Sequence, residues 1–355
     1  MEKNSSQRIE EFDILKGFGI LIVVIFHALF FNFEMYSYNM KNFLYFLGPF
    51  GTPVVVIFFF VSGFLGYRSY SKDQNAFYFI IKKLKTFLPP YFIWSTVYIV
   101  LQIFFDQYSG GHYEINFFNI FESYAFATAY LPFYFLFVLI IMYIITPYLF
   151  NMKSLNFLLM LMFFTGIVFA SIYYVPQYFG ILLVNSLISY RNPLFWAFFY
   201  IWGMQSAKMN KFFWNKRPAS WLFILFISSY AGSVVMTLTV PKMIQDYESY
   251  IALGPIQYVF YFSSMPIFLW LSYKAKSYKM SHLLSGFGRH SLAIYINHVL
   301  IIGLIFAAFM PFMPKITFSA NIYIQLLIGI IACFGAYMVS EMVRKMSKKA
   351  YEIIF

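Results

Sequence analysis

Phe12-Asp13-Ile14-Leu15-Lys16-Gly17-Phe18-Gly19-Ile20-Leu21-Ile22-Val23-Val24-Ile25-Phe26-His27 is the stretch whose reading decides the fold. From Phe18 to Phe26 no side chain is polar, so the run reads as the body of a membrane-crossing helix. Yet it opens on a carboxylate and an ammonium and closes on an imidazole. Ionisable groups inside a span are costly and mark function by default. At about 100° per residue, the eleven steps from Lys16 to His27 bring the two within about 20° on one helix face, with Asp13 about 60° to one side. At about 1.5 Å per residue, His27 sits roughly 16 Å deeper than Lys16. A cation at the membrane edge and an imidazole deep inside, on one stripe, read as the two ends of a buried site.

The rest of the chain agrees. Of 355 residues, 61% are hydrophobic and 11% are charged, against about 25% charged in soluble domains. Mean hydropathy is +0.70. Apolar stretches recur at 13–31, 49–67, 88–105, 130–150, 156–174, 192–207, 219–240, 252–272, 290–310 and 322–343. Segment 176–190 is apolar but short, a re-entrant piece or an extension of the sixth span. If these spans alternate, twenty of the 25 Lys and Arg residues fall on one side. Four fall on the other: Lys41, Arg191, Lys242 and Lys315. Lys16 sits at the inner end of the first span. Bases mark the cytoplasmic side, so the expected fold is an all-α, polytopic membrane helix bundle. It has about ten transmembrane helices and both termini cytoplasmic. One integral membrane domain is expected over 1–355, because no polar stretch is long enough for a second. No cleavable signal peptide pattern precedes the first span. The net charge of +12 follows from the loop bias and calls for no nucleic-acid partner. Cys333 is the one cysteine, which excludes an intramolecular disulfide and a cysteine metal cluster.

The connection 68–90 is basic and cytoplasmic in this scheme. Phe77, Ile80, Ile81, Leu84 and Leu88 follow helical spacing, with Lys82 and Lys83 opposite them. An interfacial amphipathic helix results. It serves equally as a headgroup anchor and as a cationic rim for a polyanionic cytoplasmic ligand. The acids Glu34, Asp106, Glu114, Glu122, Asp246 and Glu248 fall outside. That is the ordinary composition of solvated loops, and it also suits a polar acceptor.

Of five histidines, His112 and His282 lie in loops and His290 at a span entrance. His27 and His298 lie within spans. A lone histidine in a bundle often only hydrogen-bonds a neighbour; Lys16 on the same stripe gives His27 more weight. An imidazole suits proton transfer near neutral pH. Counted from the inner ends of their spans, His298 is roughly 12 Å deep and His27 roughly 20 Å. Straight helices would keep the two rings apart, which makes His298 a supporting residue rather than half of a dyad. Gly63 and Gly66 in the second span permit close backbone approach. Arg68 reaches the inner face there, and an Arg suits phosphate, although span ends commonly carry bases. No GxSxG, HExxH, Walker loop or DxD-like pair is present. Serine hydrolases, zincins, ATP-driven pumps and metal-dependent glycosyltransferases are disfavoured accordingly.

Arg8, Asp13-Ile14-Leu15-Lys16-Gly17 and His27 resemble the opening motif of the integral-membrane acyltransferase-3 family: an Asp, then an Arg or Lys, ten residues, then a His. Phe58-Phe59-Phe60-Val61-Ser62-Gly63-Phe64 is similar to the family's FFxxSGF. Lys82-Lys83-Leu84-Lys85-Thr86-Phe87-Leu88-Pro89-Pro90-Tyr91 resembles its basic stretch leading to Pro-Tyr. Leu131-Pro132-Phe133-Tyr134-Phe135-Leu136 matches its Trp-Phe-Leu segment loosely. Ser291-Leu292-Ala293-Ile294-Tyr295-Ile296-Asn297-His298 is similar to its late slaiYxxH span. The pieces run in order over nearly the whole chain. The resemblance implies a multi-pass protein of a bacterial cytoplasmic membrane. Such a protein moves acyl groups, often acetyl, from cytoplasmic acyl-CoA to sugar hydroxyls at or beyond the outer face. It implies His27 as the catalytic histidine, and Asp13, Lys16, Arg68, Lys82 and Lys83 as donor-binding or site-organising residues. Ser62, Tyr295 and His298 are expected as supporting residues, and Glu34 and Arg191 as acceptor-side candidates. No bound cofactor or metal is implied; acyl-CoA is a co-substrate. Expected partners are membrane lipids, acyl-CoA and a glycan or lipid-linked sugar, with oligomerisation left open. The chain departs from the pattern in having Lys at position 16, which lacks the guanidinium fork, and no Trp in the fourth span. It also contains no soluble extracytoplasmic domain like that of longer relatives.

Within this class, His27 is expected to act as general base on the acceptor hydroxyl, with an acyl-His intermediate as the alternative. A rival is an exporter or flippase of an exopolysaccharide or lipid-linked sugar, since a bundle with buried ionisable groups suits that too. No inverted repeat in the hydropathy supports it. A glycan polymerase or ligase is a third reading, for which only Arg191-Asn192-Pro193 is suggestive.

Overall fold

The structure is a computed structural model that describes residues 8–109, 116–178, 191–210, 213–239, 254–309 and 321–355. Every regular element among these residues is helical. In chain order they are α1 (Glu10–Phe30), α2 (Tyr38–Gly51), α3 (Val54–Asp73), α4 (Ala76–Ser109), α5 (Phe117–Ala125), α6 (Tyr134–Phe150), α7 (Leu155–Tyr178), α8 (Pro193–Lys208), α9 (Ser220–Thr239), α10 (Pro255–Ala275), α11 (Met280–Arg289), α12 (Ser291–Phe309), α13 (Ile322–Met346) and α14 (Lys348–Ile354). Among the described residues, seven segments are long and apolar enough to cross a membrane: α1, α2 with α3, α4, α7, α9, α12 and α13. The apolar α6 is shorter. Most of segment 176–190 lies outside the described residues. The basic stretch at 82–90 is not set off from the span after it. Both belong to α4, with Pro89 and Pro90 inside the helix.

The chain divides into two compact units, with the division inside α3. The first contains Met1–Phe58, Phe212–Ala252 and Ile256–Met342. Its centre is α1, which packs on α2, α11 and α12. Glu10, Glu11 and Asp13 occupy the first turn of α1, where carboxylates favour the helix dipole. Lys276, just past α10, lies 3.8 Å from Glu10 and 3.2 Å from Glu11. Apolar side chains gain little by leaving lipid for one another, so close packing must hold such helices together. Glycine makes that packing close here. A Cβ on Gly17 would lie 1.8 Å from the Leu284 carbonyl oxygen, and one on Gly288 would lie 1.8 Å from that of Asp13. The backbones of α1 and α11 therefore touch. Further out, Leu29, Phe30, Phe33, Tyr36, Leu44 and Tyr45 form a buried cluster.

The second unit contains Phe59–Lys211, Leu253–Pro255 and Val343–Phe355. The close approach expected of Gly63 is present: its Cβ would lie 2.0 Å from the Tyr200 carbonyl oxygen. Gly203 is the reciprocal contact, 2.0 Å from that of Phe60. Here α8 also packs on α6 and α7, and α4 packs on α6. The C-terminal α14 is tied to α4 through the Trp94 indole N–H, which donates to the Ile354 carbonyl at 2.8 Å.

Candidate functional site

The N-terminal end of α1 carries a three-member charge cluster. Asp13 is 5% exposed. Lys16, one turn later, places Nζ 3.2 Å from its Oδ1, and Arg8 donates from Nε to its Oδ2. An i,i+3 spacing brings Lys16 over Asp13 on the helix surface. The Arg8 side chain is 61% exposed and that of Lys16 21%, so the Lys16 pair is the better shielded and the less screened by water. One carboxylate between two bases leaves a net positive charge. A carboxylate repels phosphate, so this geometry suits Asp13 as the residue that orients Lys16.

Farther along α1, the expected separation of the His27 and His298 rings is overturned. His27 Nδ1 lies 2.6 Å from His298 Nε2, across 271 residues of chain. The ring planes differ by 19° with centroids 4.8 Å apart, as for nearly coplanar rings joined through facing nitrogens. Rise per residue measures depth only along each helix's own axis. The start of α12 is set by α11, which is seated on the first turns of α1 through Gly17 and Gly288, and not by a shared membrane plane. His298 is fully buried. Its Nδ1 lies 3.1 Å from the Ile294 carbonyl oxygen, and the Tyr295 ring is 6.1 Å from its own. His27 is only partly buried. Among the described residues, no side chain or backbone group hydrogen-bonds its Nε2.

The other candidates are distributed as follows. In the second unit, Arg68 donates to Asn210 Oδ1 at 3.2 Å and lies 5.0 Å from the Phe64 ring centroid. Lys82 is exposed. Lys83 does not share its solvent-facing position. Its ammonium sits 4.6 Å from the Tyr143 ring centroid and 5.6 Å from that of Phe79, a cation–π arrangement. Adjacent residues diverge by about 100° on a helix, so one lysine faces water and the next faces the aromatics. Ser62 shares a hydrogen bond with the Tyr143 hydroxyl. Arg191 precedes α8, whose Asn192 caps the helix through Leu194 N–H at 2.9 Å with Pro193 at the first position. Those two residues thus have a local structural task in starting α8. Glu34 lies on the turn Phe33–Met35; its side chain is outside the described residues.

Sequence reasoning missed two features of the first unit. His290 is buried, with Nε2 2.8 Å from Glu341 Oε1 and Nδ1 3.0 Å from Ser340 Oγ. It fastens the α11–α12 junction to α13, and no local motif links positions fifty residues apart. Asn297, beside His298, is buried, and neither polar atom of its amide has a partner among the described residues. Tyr36, in the buried cluster just past the C-terminal end of α1, has its phenol held well above the usual range by burial, so it stays neutral. An apolar cavity of about 360 Å³ lies against the N-terminal half of α1, lined by Ile14, Phe18, Phe268, Ser272, Lys274 and Tyr278 among others. Neither Lys16 nor His27 lines it, so it does not define the histidine site.

Regular elements that are all helical among the described residues, with several segments long and apolar enough to cross a membrane, define a polytopic membrane protein, in which imidazoles from α1 and α12 meet. The chain belongs to the acyltransferase-3 family: the family's model, described as an acyltransferase domain, matches residues 9–341. It is a multi-pass membrane acyltransferase. No curated protein and no solved structure matches it.

Proposed function

We propose that the protein transfers an acyl group from cytoplasmic acyl-CoA to a sugar hydroxyl of a cell-surface or exported glycan, in a bacterial cytoplasmic membrane, with His27 as general base. Acetyl is the group that the family resemblance favours. The observation that carries this reading is the state of His27: Nδ1 is engaged by His298, while Nε2 has no partner among the described residues. In the reaction, Nε2 takes the proton of the acceptor hydroxyl as its oxygen attacks the thioester carbonyl carbon. The tetrahedral intermediate collapses with cleavage of the C–S bond. The departing CoA sulfur takes the proton back from Nε2, leaving a sugar ester and free CoA. The phosphates of CoA stay at the cytoplasmic side, where Lys16, oriented by Asp13, is the nearest base on the same helix. Arg68, Lys82 and Lys83 are further candidates for that donor end.

Ten crossings with both termini cytoplasmic go with this reading. The seven apolar segments are joined by the shorter or less apolar α6, α8 and α10, and the basic loops supply the orientation. Purified protein in vesicles, given labelled acetyl-CoA and a glycan acceptor, tests both points. Label is expected on the acceptor, with CoA released only when acetyl-CoA is supplied on the side carrying the C-terminus. Acceptor movement without acetyl-CoA consumption identifies an exporter and ends the proposal. In the same assay, Lys16→Ala is expected to raise the KM for acetyl-CoA about tenfold, the scale of one lost charge-assisted contact. An unchanged KM with lower turnover removes Lys16 from donor binding.

A further inference from the structure

We infer that His298 is a positioning residue that sets the tautomer of His27, so that Nε2 is the basic nitrogen. The inference rests on the reading of His27 as general base. It follows from a chain of three groups whose hydrogen-bonding roles are forced in turn. The Ile294 carbonyl, one turn back on α12, lies 3.1 Å from His298 Nδ1. A carbonyl oxygen can only accept, so His298 Nδ1 carries a hydrogen and donates it. In a neutral imidazole the other nitrogen is then an acceptor. That nitrogen, Nε2 of His298, faces His27 Nδ1 at 2.6 Å. His27 Nδ1 must therefore be the donor, and its lone pair is left on Nε2. Among the described residues, no group competes for that lone pair.

The arrangement is fixed at its far end. His298 is fully buried, so no solvent can replace the Ile294 carbonyl and flip the order. The contact with Ile294 is also internal to one helix, and it persists wherever α12 moves. An unsupported His27 could carry its hydrogen on either nitrogen, and only one of the two forms can take a proton at Nε2. The pair thus does for His27 what a buried acceptor does for any catalytic imidazole: it selects the tautomer and holds the ring plane.

Substitution at position 298 separates positioning from packing. His298→Leu fills the space and cannot accept a hydrogen bond; His298→Gln offers an amide oxygen in place of Nε2. We expect His298→Leu to lower kcat at least about tenfold, as for loss of an orienting partner, with the KM for acetyl-CoA unchanged. His298→Gln is expected to recover most of that loss. A second readout needs no turnover. In protein labelled with [15N]histidine, with the His27 signals assigned by their loss in His27→Gln, the His27 nitrogens are expected to show a protonated Nδ1 and a bare Nε2. In His298→Leu that pattern is lost. Wild-type turnover in His298→Leu, equal loss in Leu and Gln variants, or a protonated Nε2 in the native protein overturns the inference. The base reading fails by a different result: transfer that survives His27→Ala, whatever the tautomer.

Discussion

His27→Ala is expected to lower acyl transfer at least about a hundredfold, the low end of what a positioned general base contributes. The protein should remain folded in the membrane. The two halves of this expectation have separate grounds. The loss follows because removal of the ring removes the only group on the site's helix face able to take the hydroxyl proton at that depth. Lys16, its partner on the stripe, is roughly 16 Å away along the helix and is held by Asp13. Folding should survive because His27 is only partly buried, and the contacts that seat α1 on α11 lie two to four turns away. Transfer measured in vesicles, beside the thermal midpoint in detergent, checks both halves. Retained transfer within a few-fold would remove His27 from the chemistry. Acid-quenched protein should carry no acyl label if His27 acts as a base; label lost on His27→Ala would instead mark an acyl-His intermediate.

Gly288→Ala and Gly286→Ala, two residues apart in α11, are expected to have opposite effects. In the middle of a helix, Ala is better than Gly by about 1 kcal/mol, and that is the whole effect where space is open. At Gly286 the added Cβ would lie 3.6 Å from the Tyr337 hydroxyl, an ordinary contact, so the variant should be neutral or slightly stabilised. At Gly288 it would lie 1.8 Å from the Asp13 carbonyl oxygen, and backbone cannot turn aside as a side chain can. Overpacking costs about 1–3 kcal/mol and occasionally more, which exceeds the propensity gain. The thermal midpoint of Gly288→Ala should fall below that of the native protein, and Gly17→Ala, set 1.8 Å from the Leu284 carbonyl, should follow it. A further consequence ties packing to chemistry. Because α11 leads directly into α12, pushing it off α1 also draws His298 away from His27, so turnover should fall in protein that remains folded. Equal midpoints for Gly286→Ala and Gly288→Ala would show that α1 and α11 do not pack backbone to backbone.

Much of the candidate site was legible along α1 alone. Asp13, Lys16 and His27 share a stripe because a helix has a fixed turn per residue, and the apolar run from Phe18 to Phe26 makes the helix certain. The same local logic anticipated close approach at Gly63, although not that Gly203 would answer it from α8. It did not anticipate that Lys83 would turn from solvent to the Tyr143 ring. Amphipathic spacing assigns a residue to a face, but it does not say which faces meet aromatic neighbours. Nor could it reveal the carboxylate clamp on His290, since Glu341 lies on another helix.

By itself, the sequence determined that this chain lives in a membrane, that its first helix carries three ionisable groups on one stripe and which family it joins. Each of these depends on composition, on period or on motifs read within one helix. Only the tertiary structure decided that His27 and His298 meet. Their offset along the membrane normal is a property of how α11 seats on α1, which depends on two glycines and two carbonyl oxygens from distant parts of the chain. A rise of about 1.5 Å per residue measures distance along one helix and carries no information about where the next one starts. The stripe on α1 was therefore visible from the beginning, while the imidazole that meets its own was not.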